Sequence, residues 1–115
     1  MHEFALAQDI ISTLETKLKD DLKAITAIDI EAGRFSGIIA DSLVFGLETL
    51  FFEKQIKNIE INVEMTEARA ICECGNIYNP KAVFELCPRC GSTVRTFEKG
   101  TDVLVKSVNL REVEQ

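Results

Sequence analysis

Residues 58–71 read NIEINVEMTEARAI. Ile59, Ile61, Val63 and Met65 fall on one side of this stretch; Glu60, Asn62, Glu64 and Thr66 fall on the other. A period of two is the mark of a half-buried strand, so this segment predicts a sheet with one apolar face and one wet face. A single strand cannot bury that face alone, and the flanking sequence has to supply its partners.

Two further strands answer that need. Over residues 24–32, Ile28 and Ile30 alternate with Asp29 and Glu31, and Gly33 marks a turn after them. Over residues 102–112, Val103, Val105, Val108 and Leu110 supply the apolar positions. Two segments carry the helical period instead. Phe4, Ala7, Ile11, Leu14 and Leu18 set a stripe over residues 4–18, widened by Leu6 and Ile10, with Lys17 and Lys19 near its end where cations suit the dipole. Ser36 is placed as the N-cap of a helix over residues 37–53. Its apolar set is Ile39, Leu43, Leu47, Leu50 and Phe51, broadened by Ala40, Val44 and Phe45. Gly46 sits inside that helix at a cost of about 1 kcal/mol against alanine, which close approach of a neighbouring element would explain.

The predicted architecture is α+β: one three-stranded sheet with both helices on its apolar face. Residues 70–99 differ in composition. They hold all four cysteines and both prolines, and few aliphatics. They read as a zinc-ribbon module inserted into an α+β domain formed by residues 1–69 and 100–115. Because the chain leaves and re-enters that domain at one point, the strands on either side of the insert are expected to be antiparallel neighbours.

Composition narrows the function classes. With 115 residues there is room for one small domain and a short appended module. A formal charge of −6 repels phosphate backbones, which argues against nucleic acid as a partner. No secretory signal is seen, and Asp41 and Glu48 interrupt the best apolar run before it reaches membrane length. The default expectation is a cytoplasmic protein with no membrane partner. In a reducing compartment, four cysteines are metal ligands more often than disulfides.

The cysteines are spaced as Cys72-Glu73-Cys74-Gly75 and Cys87-Pro88-Arg89-Cys90-Gly91. The second set makes a tight turn whose amides can face the sulfurs, with glycine supplying the open backbone after the last ligand. Two such turns joined by a hairpin-length insert read as a closed structural zinc site. The first set has one residue fewer than the usual C-x-x-C. Residues two apart in a strand are about 6.6 Å apart at Cα. Sulfurs on tetrahedral zinc are about 3.8 Å apart. Side chains can converge by that amount, so Cys72 and Cys74 can both bind. Iron suits four thiolates as well, and disulfide pairing or free thiols are the remaining alternatives. Phe84 and Phe97 are expected to pack over this module. Lys54, Lys57, Arg69, Arg89, Arg95 and Lys99 read as solvated surface charge.

His2 is the chain's one histidine. Taken alone it reads as a surface residue. Methionine is retained ahead of so bulky a neighbour, so Met1 keeps a free α-amine. That amine, the His2 backbone nitrogen and the His2 imidazole can close adjacent chelate rings on one ion, and Glu3 adds a carboxylate or a further nitrogen. Nitrogen-rich planar coordination suits Ni(II) or Cu(II) better than Zn(II).

The opening Met1-His2-Glu3-Phe4-Ala5-Leu6-Ala7, then helix, strand, helix, strand and a cysteine-paired insert, resembles the hydrogenase nickel-incorporation proteins of the HypA/HybF family. The likeness in layout runs over essentially the whole chain. It implies transferable Ni(II) at Met1, His2 and Glu3, and structural Zn(II) at Cys72, Cys74, Cys87 and Cys90. It implies delivery of nickel for maturation of [NiFe]-hydrogenase, with other nickel enzymes allowed as recipients and a nickel-handling maturation GTPase as partner. The hydrogenase large subunit is then met directly or indirectly, and a homodimer is allowed. The chain departs from the pattern in its short first cysteine pair and in having no second histidine, so any further nickel ligand comes from backbone, carboxylate, water or a partner. The competing reading is a zinc-ribbon protein–protein adaptor without nickel transfer. No catalytic constellation remains once the cysteines are assigned, so an enzyme is not expected.

Overall fold

The computed structural model describes residues 2–112; Met1 and residues 113–115, the end of the expected 100–115 segment, lie outside them. The first apolar stripe forms α1, Glu3–Leu18, burying Ala7, Ile10, Ile11 and Leu14. A 3₁₀ turn over Lys19–Ala24 buries Leu22 and leads into β1, Ile25–Gly33. After a short connection come α2, Ala40–Glu53, and β2, Glu60–Thr66. Then follow β3 (Arg69–Cys72), β4 (Ile77–Tyr78), β5 (Arg95–Lys99) and β6 (Val103–Leu110).

The strands form two separate sheets, in the orders β2-β1-β6 and β4-β3-β5. In the first sheet β1 lies between a parallel β2 and an antiparallel β6. This corrects the expectation that the strands flanking the insert are neighbours. The cause is α2, which connects β1 to β2: a helical crossover returns the chain parallel to the strand it left. The central place falls to β1, the strand with most of its residues buried. The same register makes one face apolar. Ile28 pairs with Ile61 and Val108, and Ile30 with Val63 and Val105. Both helices lie on that face, where Leu43, Leu47 and Phe51 meet Ile28 and Ile30 in one core. The opposite face is polar: Asp29 accepts hydrogen bonds from Asn62 and Ser107, at 2.9 and 3.0 Å. Those two bonds, Asn62 first, hold the Asp29 carboxyl below its ordinary range.

Three other expectations need correcting. The alternating stretch 58–71 is not one strand; it divides into β2 and β3, which belong to different sheets. The break falls at Ala68, fully buried where three backbones cross. A Cβ on Gly33 would lie 2.2 Å from the Gly100 carbonyl carbon, and one on Gly100 would lie 2.5 Å from the Ala68 Cα. Only glycine fits either place, and Gly100 also holds φ at +107°. The second correction is that Ser36 does not cap α2. Ile39 stands at the cap position with extended backbone, and Gly37, at φ +80°, keeps the preceding residues out of the helix. The Ile39 N–H donates instead to the Glu3 carboxylate at 2.9 Å. Gly46 does admit a close neighbour: a Cβ there would stand 3.3 Å from Ala7 Cβ and 3.4 Å from a Phe4 ring carbon.

The third correction concerns the module's small core. Phe97 packs there with Ala70, Cys72, Tyr78 and Cys87. Phe84 does not; it is 81% exposed. Arg95 fastens the loop by its backbone instead: its guanidinium donates to the carbonyls of Val83 and Glu85 while lying 5.1 Å over the Phe97 ring. The radius of gyration is 17.7 Å, against about 13 Å for a compact domain of this length, as two lobes require. Where the lobes meet, Phe35 makes an edge contact with Phe97, and the Phe35 N–H donates to the Gly100 carbonyl. Arg34 and Lys81 both reach Glu67, at 3.4 and 3.1 Å. Lys81 first, then Arg34, keeps the Glu67 carboxyl below its usual range.

Candidate metal centres

The second sheet brings the two cysteine turns face to face. Cys72 ends β3, and its N–H donates to the Asn76 carbonyl. The Gly75 N–H returns to the Cys72 carbonyl, closing the first turn after three residues. In the second turn the Gly91 N–H returns to the Cys87 carbonyl, one residue later. The C-x-C pair is therefore a turn one residue tighter than its partner. Gly75 and Gly91 hold φ at +91° and +76°, a region costly to residues with a Cβ.

All four sulfurs lie within 4.8 Å of one another. Cys72 and Cys90 Sγ are 3.4 Å apart, and Cys74 and Cys87 Sγ 3.9 Å. Tetrahedral zinc–sulfur geometry asks for about 3.8 Å, so the donor set fits a thiophilic divalent ion, the tighter first turn included. Cys72 and Cys87 are buried; Cys74 and Cys90 are exposed. The Asn76 amide donates to Cys87 Sγ at 3.6 Å.

The electrostatics agree with a cation at the centre. Burial alone would push the Cys87 thiol up, but the N–H groups of Cys90 and Arg89 and the Asn76 amide bring it down to about 6. At Cys72 the Cys74 N–H pulls downward, yet burial and the three other sulfurs outweigh it and raise the thiol to about 12. Cys90 is also raised, the Ser92 N–H and Cys72 lowering it less than burial, Cys74 and Cys87 raise it. Four sulfurs this close cannot all ionise against one another; a divalent cation among them removes that conflict.

The expected nickel residues stand at the other lobe. Met1 lies outside the described residues. His2 is exposed just ahead of α1, and its carbonyl accepts the Leu6 N–H at 2.9 Å. Glu3, the first residue of α1, is buried at 5% exposure, the acceptor of the Ile39 bond noted above. Among the described residues the four cysteines are the one group of three or more His, Cys, Asp or Glu side chains close enough to share an ion.

Two contributors escaped the sequence reading. Arg95, read as surface charge, clamps the loop before Cys87, and Asn76 donates to the Cys87 sulfur. Neither has a local signal, because the partners are ten or more residues away in the chain. Of the other basic residues, Lys54 pairs with Glu15 and Arg69 with Glu98 at the surface.

Comparison with known proteins sets these features in context. The family model described as "Hydrogenase/urease nickel incorporation, metallochaperone, hypA" matches residues 1–110. A hydrogenase maturation factor HypA from Methanocella arvoryzae is 32% identical over 114 residues, covering 96% of this chain and 98% of that protein. One from Francisella philomiragia is 28% identical over 109 residues, covering 94% and 97%. The solution structure of the Ni metallochaperone HypA from Helicobacter pylori superposes with a TM-score of 0.70 at 20% identity, covering 96% of this chain and 98% of that one, a likeness of fold.

Proposed function

The chain belongs to the HypA family of hydrogenase/urease nickel-incorporation metallochaperones, and on that premise we propose that it carries nickel at Met1, His2 and Glu3 and is braced by zinc at Cys72, Cys74, Cys87 and Cys90. Nickel is the cargo and zinc the resident ion. Residues 1–69 and 100–115 then act as the nickel-handling unit and 70–99 as an inserted zinc ribbon. The cargo goes to [NiFe]-hydrogenase through a maturation GTPase. Four cysteines kept as thiolates belong in a reducing compartment, so the work is cytoplasmic.

The observation that carries the nickel reading is the position of His2 and Glu3 at the start of a helix. The first amides of a helix have no acceptor within it, so binding a metal there breaks no helical bond. His2 is exposed, which leaves its imidazole open to incoming cargo and to the acceptor that removes it. The Glu3 carboxylate already braces Ile39, which favours the Glu3 backbone nitrogen as its contribution. A ligand set held on an exposed chain end suits transfer by ligand exchange. Both the amine and the imidazole must shed protons to bind, so the grip weakens as pH falls.

The zinc reading rests on the sulfur separations, which suit a closed tetrahedral site. Such a site has no open position and contributes structure, not reaction.

Calorimetric titration of the zinc-loaded protein with Ni(II) tests the cargo site. His2→Ala should weaken binding by at least about tenfold, which is about 1.4 kcal/mol. One extra residue ahead of Met1 should do the same. Equal affinity and stoichiometry in all three proteins would return the chain to the zinc-ribbon adaptor reading.

A further inference from the structure

α2 presents an outward line that neither metal site uses. Asp41, Phe45, Glu48 and Phe52 are all exposed, Phe45 at 71% and Phe52 at 67%. Their spacings of four, three and four residues keep them within an arc of about 60° on the helix. Acid and aromatic alternate along a single stripe, and Glu53 adds charge of the same sign at its end. No lysine or arginine occurs anywhere in Ala40–Glu53. The inward line of Leu43, Leu47 and Phe51 already makes the core, and among the described residues Phe45 and Phe52 take no part in it. At its first turn the stripe joins a pocket lined by Glu3, Phe4, Asp41, Ser42, Phe45 and Gly46. Phe4 is 49% exposed and Ile39, just ahead of α2, 60%. Gly46, lacking a side chain, lets Phe4 lie close against α2 at that end.

We infer that the Asp41-Phe45-Glu48-Phe52 stripe of α2 is a docking surface for a partner protein's basic amphipathic helix, with apolar side chains on the two phenylalanines and Lys or Arg against Asp41 and Glu48. Charge complementarity selects this occupant. A second copy packed antiparallel would set Asp41 against Phe52 and Glu48 against Phe45, leaving every acid without a cation, and an anionic surface would be repelled by the stripe. Two exposed aromatics a little over 10 Å apart along one helix face match anchors two turns apart on a facing helix. The pocket that continues the stripe includes Glu3, so a helix seated there lies beside the start of the chain. This goes beyond the nickel reading and does not need it, because its readout is peptide binding.

The test uses the full zinc-loaded chain and a fluorescent synthetic helix with leucine on one face and lysines at its flanks, against the same peptide with glutamates for lysines. Fluorescence anisotropy should show the lysine peptide bound and the glutamate peptide not. Phe45→Ser/Phe52→Ser and Asp41→Lys/Glu48→Lys should each weaken binding by at least about tenfold. Glu60→Lys/Glu64→Lys, on exposed positions of β2, makes the same change in net charge and should stay within about twofold, since it lies away from the stripe. Circular dichroism should show every variant folded, because each substituted side chain is exposed. Absence of lysine-peptide binding up to about millimolar concentration, or equal losses in the α2 and β2 charge variants, overturns the proposal. A dimer in sedimentation that Phe45→Ser/Phe52→Ser converts to monomer also overturns it, because the stripe is then covered by a second copy. Should His2→Ala abolish nickel binding and leave peptide binding intact, the two readings are separated.

Discussion

The two lobes are built on opposite economies of burial. The helical lobe closes over Ile28, Ile30, Leu43, Leu47, Phe51 and their neighbours, a continuous apolar core under a three-stranded sheet. Within residues 69–99 the cysteine lobe buries only Ala70, Cys72, Tyr78, Pro80 and Cys87, with Phe97 packed against the cysteine cluster. Two of those five, Cys72 and Cys87, belong to the four-sulfur cluster. So small a core does not hold a sheet of four-, two- and five-residue strands without a further constraint. One lobe folds because its sequence is apolar at the right period; on the proposed reading, the other folds because four sulfurs share a cation.

The sharpest way to break that contrast is to take the ion away. Structural zinc in small ribbons is worth on the order of 10 kcal/mol or more of folding free energy at neutral pH. Cys87→Ala, or a strong chelator, should therefore abolish amide protection over β3, β4 and β5 in hydrogen exchange. α1 and α2 should keep both their protection and their far-ultraviolet signal. Loss of helix in parallel with loss of metal would mean that the lobes fold as one unit, and the contrast would be wrong.

The opposite experiment strikes the apolar core. Phe51 is fully buried, and Phe51→Ala should cost about 3–5 kcal/mol through lost transfer energy and the cavity left behind. That is a large share of a small domain's stability. Urea unfolding followed by helix signal should show the fall, while metal analysis still finds one ion per chain on the four cysteines. An unchanged unfolding midpoint would remove Phe51 from the centre of the core.

The same contrast explains what could be read from the amino acids. Periodicity reports burial, so the helical lobe was legible: α1, β1, α2 and β6 lie close to their expected ranges, and Ile28, Ile30, Leu43 and Leu47 are buried as their spacing demanded. Spacing of ligands reports chemistry, so the cysteine cluster was legible too. What failed were features set by crossing chains. Alternation runs unbroken from Ile59 to Thr66 and says nothing of the Gly33–Gly100–Ala68 crossing that ends β2 and sends β3 to another sheet. Strand order is hidden for a related reason: the parallel return through α2 puts β1 between β2 and β6, and the nearness of the insert's two ends carries no sign of it. Ser36 has the chemistry of a local cap, but the acceptor for the Ile39 N–H is Glu3, 36 residues earlier in the chain.

The smallest test lies inside the weaker lobe, at Tyr78. Its hydroxyl is buried and has no hydrogen-bond partner among the described residues. A buried hydroxyl without a partner has lost its water and gained nothing in return, so removing it should be neutral or stabilising. The ring itself packs against Ala70 and the cysteine turns, and phenylalanine keeps that ring. Tyr78→Phe should therefore change stability by between zero and about 1 kcal/mol, in the stabilising direction. The measurement has to be made on the lobe concerned, by hydrogen exchange of β3 and β5 amides in the metal-loaded protein. A destabilisation of about 1 kcal/mol or more would mean the hydroxyl is satisfied by water or backbone in solution, and that the small core depends on a polar contact as well as on its metal.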